Sequence, residues 1–405
     1  MRIVRCLVGG WLCIYGVVGW VSVVHGATDL TPWGEMSYLP ALGWDGVLGG
    51  RWTSVAYALD PLAVPANPAT MLSRPGPRLG VRYQQWFAMQ QYNEVWLQDS
   101  FGGLAEWAVQ LNGTGFGISV FRHRPFWQRA EWTRTSFSLP GGGSLWEENI
   151  QWTGTWSRTG VAMAMRLQED FVVGGQILRD QWTTDGSLQT RTTVNGERWT
   201  FQYRADARDW SGSVGVQWWL SPQVVFGLAY HWMPVFTVEV QGRSLDDPEG
   251  SGVTIPLRVA FPNALAIGLH VADRQWVIAI DGWRWKTGRM NTDPQLYLHL
   301  GEDERLEFRP IWGWRISAGA HLNVRPIRMF VQGGVWYRPG IRPVWIGPEG
   351  QSPEPVVRTL WPNDTRHLHW MFGVSIQFHT RLTMGGGLTL GKWMRMVQVL
   401  IQAQL

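Results

Sequence analysis

The feature that most constrains this chain of 405 residues is a period of two. From about Arg78 onward, segment after segment alternates apolar and polar side chains over roughly ten residues, the length of a strand that crosses a membrane. In 264–271, Leu265, Ile267, Leu269 and Val271 fall on one face, and Ala264, Ala266, Gly268 and His270 on the other. In 397–405, Val397, Val399, Ile401, Ala403 and Leu405 oppose Gln398, Gln402 and Gln404, with Leu400 as the exception. Only residues 6–24 form a long apolar run. A bundle of membrane helices needs about 20 mostly apolar residues per helix, so that class is excluded. Disorder is excluded by an aromatic content of 13%. Only 16% of residues are charged, against roughly 25% in a soluble domain. The 29 Trp residues suit the interfacial girdles of a membrane barrel, where the ring is apolar and the indole N–H stays wet. The expected fold is therefore all-β, a transmembrane antiparallel β-barrel.

The N-terminus reads as an export signal. Arg2 and Arg5 precede the apolar run, and Val24-His25-Gly26-Ala27 offers small residues for cleavage, after Gly26 or Ala27. Both cysteines, Cys6 and Cys13, lie in this signal of residues 1–26. The mature chain then has no disulfide, Cys-ligated metal or Cys nucleophile. Losing Arg2 and Arg5 lowers the formal charge from +4 to +2, too little for a nucleic-acid footprint.

Residues 27–77 differ from the rest. They hold seven prolines, from Pro32 to Pro77, and little alternation. They read as a compact irregular unit with short helical stretches around 52–58. The remainder, 78–405, reads as about a dozen to sixteen strands. Asp185-Gly186 and Asn195-Gly196 are hairpin dipeptides and predict strands over 187–194 and 197–208. Ser221-Pro222 separates strands over 213–220 and 224–232. Longer insertions at 241–253, 290–307 and 337–365 suit outward loops.

Three stretches carry a resemblance. Gly49-Gly50, Tyr57-Ala58-Leu59-Asp60 and Ala66-Asn67-Pro68-Ala69 resemble the N-terminal plug signature of the outer-membrane long-chain fatty-acid transporter (FadL) family. Ile255-Pro256, Gly268, the run Trp276 to Asp281, Trp283 and Trp285 resemble its late strands. Trp361-Pro362-Asn363-Asp364-Thr365-Arg366 resembles its Pro-Asp-x-x-Arg approach to a strand, with Asn363 in place of the first Asp. The chain ends in Leu405, where most such barrels end in an aromatic residue. PorV-like proteins of a secretion machinery form a related branch with a similar plug motif.

The resemblance implies a barrel of about fourteen strands in the outer membrane of a Gram-negative-type bacterium, with residues 27–77 as a hatch inside the lumen. It implies passive uptake of a hydrophobic small molecule or lipid, such as long-chain fatty acids or aromatic hydrocarbons, without a cofactor. Pro68 restricts Asn67 to extended geometry, the Asn67 side chain can fix a turn, and Ala69 permits close approach to the wall. With Asp60, these form the hatch motif. Asp281 and Arg366 are lumen candidates able to hold the plug. Trp86, Phe87, Trp96 and Phe101 are candidates to line a ligand pocket, or equally to pack in wall and girdle. Two alternatives stay open: a PorV-like barrel partner of a secretion system, and a lipid-active enzyme. No Gly-x-Ser-x-Gly elbow, His-Glu-x-x-His or phosphate loop is present. His367 and His369 share a strand face but lack a third ligand at a meaningful spacing.

Overall fold

The computed structural model describes residues 54–58, 60–92, 95–134, 146–192, 198–244, 253–260, 263–286, 290–291, 305–308, 311–324, 327–339, 343–346, 366–379, 381–391 and 394–404. The signal expected over 1–26 and the start of the irregular unit lie outside these residues, as do most of the expected loop insertions.

Fourteen antiparallel strands close on themselves among the described residues. The first six are unbroken: β1 (Arg78–Tyr92), β2 (Val95–Asn112), β3 (Phe116–Arg134), β4 (Trp146–Gln168), β5 (Phe171–Thr192) and β6 (Arg198–Ser221). The next five each run in two pieces. They are β7 (Val224–Trp232, Val235–Ser244), β8 (Val253–Ala260, Ala264–Ala272), β9 (Trp276–Trp285, Met290–Asn291), β10 (Arg305–Phe308, Ile311–Val324) and β11 (Ile327–Pro339, Pro343–Ile346). The last three are β12 (Arg366–His379), β13 (Leu382–Gly391) and β14 (Met394–Gln404). The breaks in β7 and β8 coincide with Pro234 and Pro262, which have no N–H to give to a ladder. Asn263 patches the gap: its Oδ1 accepts from Met233 N at 2.9 Å and its backbone O from Lys286 N at 2.7 Å. The cylinder closes where β1 pairs with β14, from Arg78↔Gln404 to Ala88↔Met394. Closure removes the open edges that lipid would leave unpaired.

The alternation sorts the residues as expected. In β8, Leu265, Ile267 and Leu269 are 37–45% exposed on the outside, while Ala264 and Ala266 are fully buried inside. The same outward belt includes Val161, Ile177, Ile280, Ile316, Phe372 and Ile401, an apolar band facing lipid. Leu400 breaks the alternation for a reason. It is fully buried in a cluster with Leu62, Met71 and Leu72 of the N-terminal segment.

Two sequence expectations need correction. Asp185-Gly186 is not a turn. Asp185 sits mid-ladder in β5, paired with Thr153 on one side and Arg204 on the other. Continuous neighbours on both sides override the local turn preference. The chain reverses after Thr192 instead, and the Asn195-Gly196 dipeptide lies in that connection, outside the described residues. β4, β5 and β6 accordingly have 23, 22 and 24 residues, far beyond the ten expected. The Ser221-Pro222 hairpin stands as read, joining β6 to β7.

The short helical stretches lie later than expected, as 3-10 turns at Pro61–Ala63 and Pro68–Ser73. The N-terminal segment from residue 54 onward lies inside the barrel, and Gly76 turns the chain into β1. Its φ of +103° is a conformation that residues with a Cβ rarely adopt. Its N–H donates to Asn112 O at 2.8 Å.

Candidate functional site

The internal segment is built on two copies of one local device. Asp60-Pro61 and Asn67-Pro68 each start a 3-10 turn with proline, and each Asx side chain accepts the N–H two residues on. The bonds are Leu62 N to Asp60 Oδ1 at 2.8 Å and Ala69 N to Asn67 Oδ1 at 3.0 Å. Asn67 has φ −157° and ψ 109°, the extended geometry that a following proline imposes. Its amide also donates to Val55 O at 2.7 Å and to Val216 O of β6 at 3.0 Å. One fully buried side chain thus ties two parts of the segment to the wall.

Segments so short of regular structure leave backbone groups to be satisfied elsewhere. Here the wall supplies the partners. Gln110 donates to Pro61 O at 2.8 Å, Asn112 to Met71 O at 2.7 Å, Gln176 to Pro65 O at 3.1 Å and Gln217 to Ala56 O at 2.7 Å. Asp281 accepts the Val55 N–H at 2.8 Å and is held by Arg315. Asp281, expected as a lumen residue able to hold the plug, accepts a backbone N–H of Val55, and its ion pair is with Arg315 of the wall. The Arg366 backbone opens β12, but its side chain lies outside the described residues.

The bed on which the segment rests is a row of small residues running across the strands. Cross-strand partners step from Gly117 to Ala164, Gly174 and Gly215, then from Gly227 to Gly268 and Asp281. A Cβ on Gly174 would stand 2.5 Å from Ala69 N, and one on Gly268 2.8 Å from Ala56 N. Backbone meets backbone there, and no side chain fits between. Ala69 touches the wall as its small size suggests.

Among the described residues, three buried charge clusters line the lumen. Arg82 of β1 pairs with Glu106 of β2 and, at 3.2 Å, with Asp60 of the plug; His123 Nδ1 of β3 lies against the same Glu106. Burial pushes the Asp60 carboxyl above its usual pKa, and Arg82 pulls the other way. Arg158 of β4 donates to Asp180 of β5 at 2.8 Å and to Ser211 of β6 at 2.7 Å. The third is Asp281–Arg315.

Toward the long loops from this bed, aromatic rings face inward. Phe236 meets Trp156 and Trp182 edge-on, with centroids 6.0 and 5.3 Å apart. Trp283 meets Trp285 at 5.7 Å and Trp336 at 6.2 Å. All six are at most 6% exposed. The sequence nominated other aromatics. Trp86 and Phe87 lie on β1 and Trp96 and Phe101 on β2, with Trp86 paired to Phe101; their side chains lie outside the described residues. The lumen set was partly signalled by Trp283-Arg284-Trp285, whose alternation places both indoles on one face.

The wall is not equally joined all round. The β2–β3 ladder runs only from Asn112↔Gly117 to Glu106↔His123. Beyond it, among the described residues, β2 pairs with β1 alone, up to Tyr92↔Val95, and β3 with β4 alone, up to Arg134↔Glu148. Register shifts fall beside this point, between Arg82 and Tyr83 against β2 and between His123 and Phe126 against β4. The Arg82–Glu106–His123 cluster sits at the foot of the break and touches the plug.

No known family profile matches the chain, and no curated protein matches it in sequence. Solved structures do. The toluene transporter TodX of P. putida superposes with a TM-score of 0.58 at 12% identity, over 90% of this chain and 97% of that one. The toluene transporter TbuX of Ralstonia pickettii gives 0.58 at 11% identity, over 91% and 99%. The CymD monoaromatic hydrocarbon channel gives 0.54 at 14% identity, over 88% and 96%. The likeness spans nearly the whole length of each, and what it establishes at such low identity is a common barrel fold.

Proposed function

We propose that this protein is an outer-membrane channel for passive uptake of hydrophobic compounds, with neutral single-ring aromatics favoured over fatty acids. Residues 1–26 direct export, and the short turns face the periplasm while the long loops face outward. A hydrophobic solute crosses the polar outer leaflet poorly, and an open aqueous pore offers it no attraction. An aromatic lumen above a stopper offers both attraction and selectivity.

The observation that carries this reading is the corked lumen with inward-facing Trp156, Trp182, Phe236, Trp283, Trp285 and Trp336. The preference against fatty acids rests on charge. Each fully buried arginine among the described residues already faces an acceptor: Arg78 the Met71 carbonyl, Arg82 Glu106 and Asp60, Arg158 Asp180, and Arg315 Asp281. A carboxylate entering the lumen would have to displace one of these partners, and burying an unpaired charge costs several kcal/mol. A neutral ring makes no such demand.

The segment from residue 27 to 77 acts as the hatch, fixed by Asn67, Pro68, Ala69 and Asp60. Release runs sideways through the break between β2 and β3, where no ladder must be opened. The hydrocarbon channels that share this fold support transport rather than enzymatic turnover; nothing in them supports a secretion partner.

Uptake of labelled toluene and oleate by host cells lacking their own uptake barrels tests the reading. Expression of this chain should raise the initial toluene rate severalfold and the oleate rate little. An unchanged toluene rate would overturn it.

A further inference from the structure

A cavity of about 200 Å³ lies on the short-turn side of the plug, away from the aromatic lumen. Tyr57 of the plug, Trp219 of β6, Val225 of β7, His270 of β8, Val277 of β9 and Phe330 of β11 line it. Its wall is mostly apolar, with Gln223 and Asp273 from the two neighbouring turns at the rim. For scale, an apolar cavity of about 150 Å³ accommodates benzene.

The cavity is built rather than left over. Tyr57 stacks on His270 with centroids 4.5 Å apart, and His321 tilts against Phe330 at 4.7 Å. Tyr57 is fixed from behind. Its N–H donates to Ser54 Oγ at 2.9 Å, and its carbonyl accepts Ser54 N at 2.7 Å. This turn follows directly on the Val55–Asp281 bond that holds the plug. The ring roofing the cavity is therefore attached to the piece of plug that Asp281 anchors.

We infer that this cavity is a second binding site, for one neutral single-ring aromatic molecule, on the outlet side of the plug. The inference rests on the proposed uptake of hydrophobic compounds and adds a path past the plug to the sideways one. A molecule reaches Tyr57 and His270 from above only when Val55–Ala56 moves off Gly227 and Gly268, because a Cβ on Gly227 would already stand 2.3 Å from Val55 O.

The test is crystallographic, on the full-length mature protein soaked with 4-bromotoluene. Anomalous bromine density should lie between Tyr57, Val225 and Phe330. Ala272 points into the same cavity, so Ala272→Phe should abolish that peak and leave bromine bound elsewhere unchanged. Should Phe not be tolerated, Ala272→Val should weaken the peak in proportion to the space it fills. Bromine found only in the upper lumen, binding at crystal concentration only, or a peak unaffected by either substitution would overturn the second site. Toluene uptake by the wild type separates this failure from the other. Uptake without a bromine peak removes the second site alone; a bromine peak without uptake removes the transport reading and leaves the site.

Discussion

The two boundaries of β3 differ sharply. Its junction with β4 runs from Phe116↔Met165 to Arg134↔Glu148, whereas its junction with β2 stops at Glu106↔His123. The same strand thus has one edge sealed along its length and another sealed only at plug level. Pro125 lies just past the break and has no N–H to give to either neighbour. The charge clusters beside the two junctions differ in the same sense. Arg158–Asp180–Ser211 spans three strands with continuous ladders, and among the described residues no plug residue takes part. Arg82–Glu106–His123 stands where the β2–β3 ladder ends and includes Asp60 of the plug. A charge cluster in a sealed wall serves the wall. One at the foot of an opening can link the stopper to that opening.

The sharpest way to break this comparison is to remove the cation from each cluster. Arg82→Met leaves Asp60 without its cation and Glu106 with His123 alone, and Arg158→Met leaves Asp180 with only the Trp156 and Ser211 donors. Each should lower stability by about 3–5 kcal/mol, the usual result of breaking a buried pair, read from urea unfolding in lipid vesicles. Only Arg82→Met should also change toluene uptake. Equal effects of both on uptake would erase the distinction between the junctions.

A smaller effect is expected at the plug bed. Gly174→Ala forces a methyl group to within 2.5 Å of Ala69 N, while at the adjacent Gly175 the nearest atom is 3.9 Å away. The first should cost about 1–3 kcal/mol as overpacking and sensitise cells to large antibiotics by loosening the plug. Gly175→Ala should do neither. Asn67→Ala removes a cap and two donors at once. A loss of about 1–3 kcal/mol is expected from the buried groups left behind, with the same antibiotic sensitivity. Smallest in stability, Pro125→Val restores an N–H beside the break. It should leave unfolding unchanged and slow toluene uptake a few-fold if β2 and β3 zip further together.

Much of the barrel was legible because lipid enforces a strict two-residue rule. Ala264 to Val271 sorted into faces without ambiguity, since each outward residue must be apolar. The Asn67-Pro68 cap was legible because proline acts on its immediate neighbour. The matching Asp60-Pro61 cap obeys the same rule, with the Asp60 side chain accepting the Leu62 N–H. Asp185-Gly186 misled because turn preference is local, while the two ladders that hold it extended come from strands far along the chain. Leu400 was an unexplained exception, since its reason is a contact with plug residues more than 300 positions earlier. The bond from Asp281 to Val55 spans 226 positions and leaves no mark in spacing. The aromatic lumen was signalled only at Trp283 and Trp285 for a different reason: in a chain with 29 Trp, composition cannot separate rings facing the lumen from those in the girdles.

The central claim is that a corked barrel passes neutral aromatics without opening a water path. Proteoliposomes carrying the wild-type protein allow toluene influx and ionic conductance to be followed on one preparation. The account predicts toluene influx well above that of protein-free vesicles, with conductance at the baseline. Influx that appears only together with a steady open-pore conductance, or no influx above the protein-free control, would contradict it.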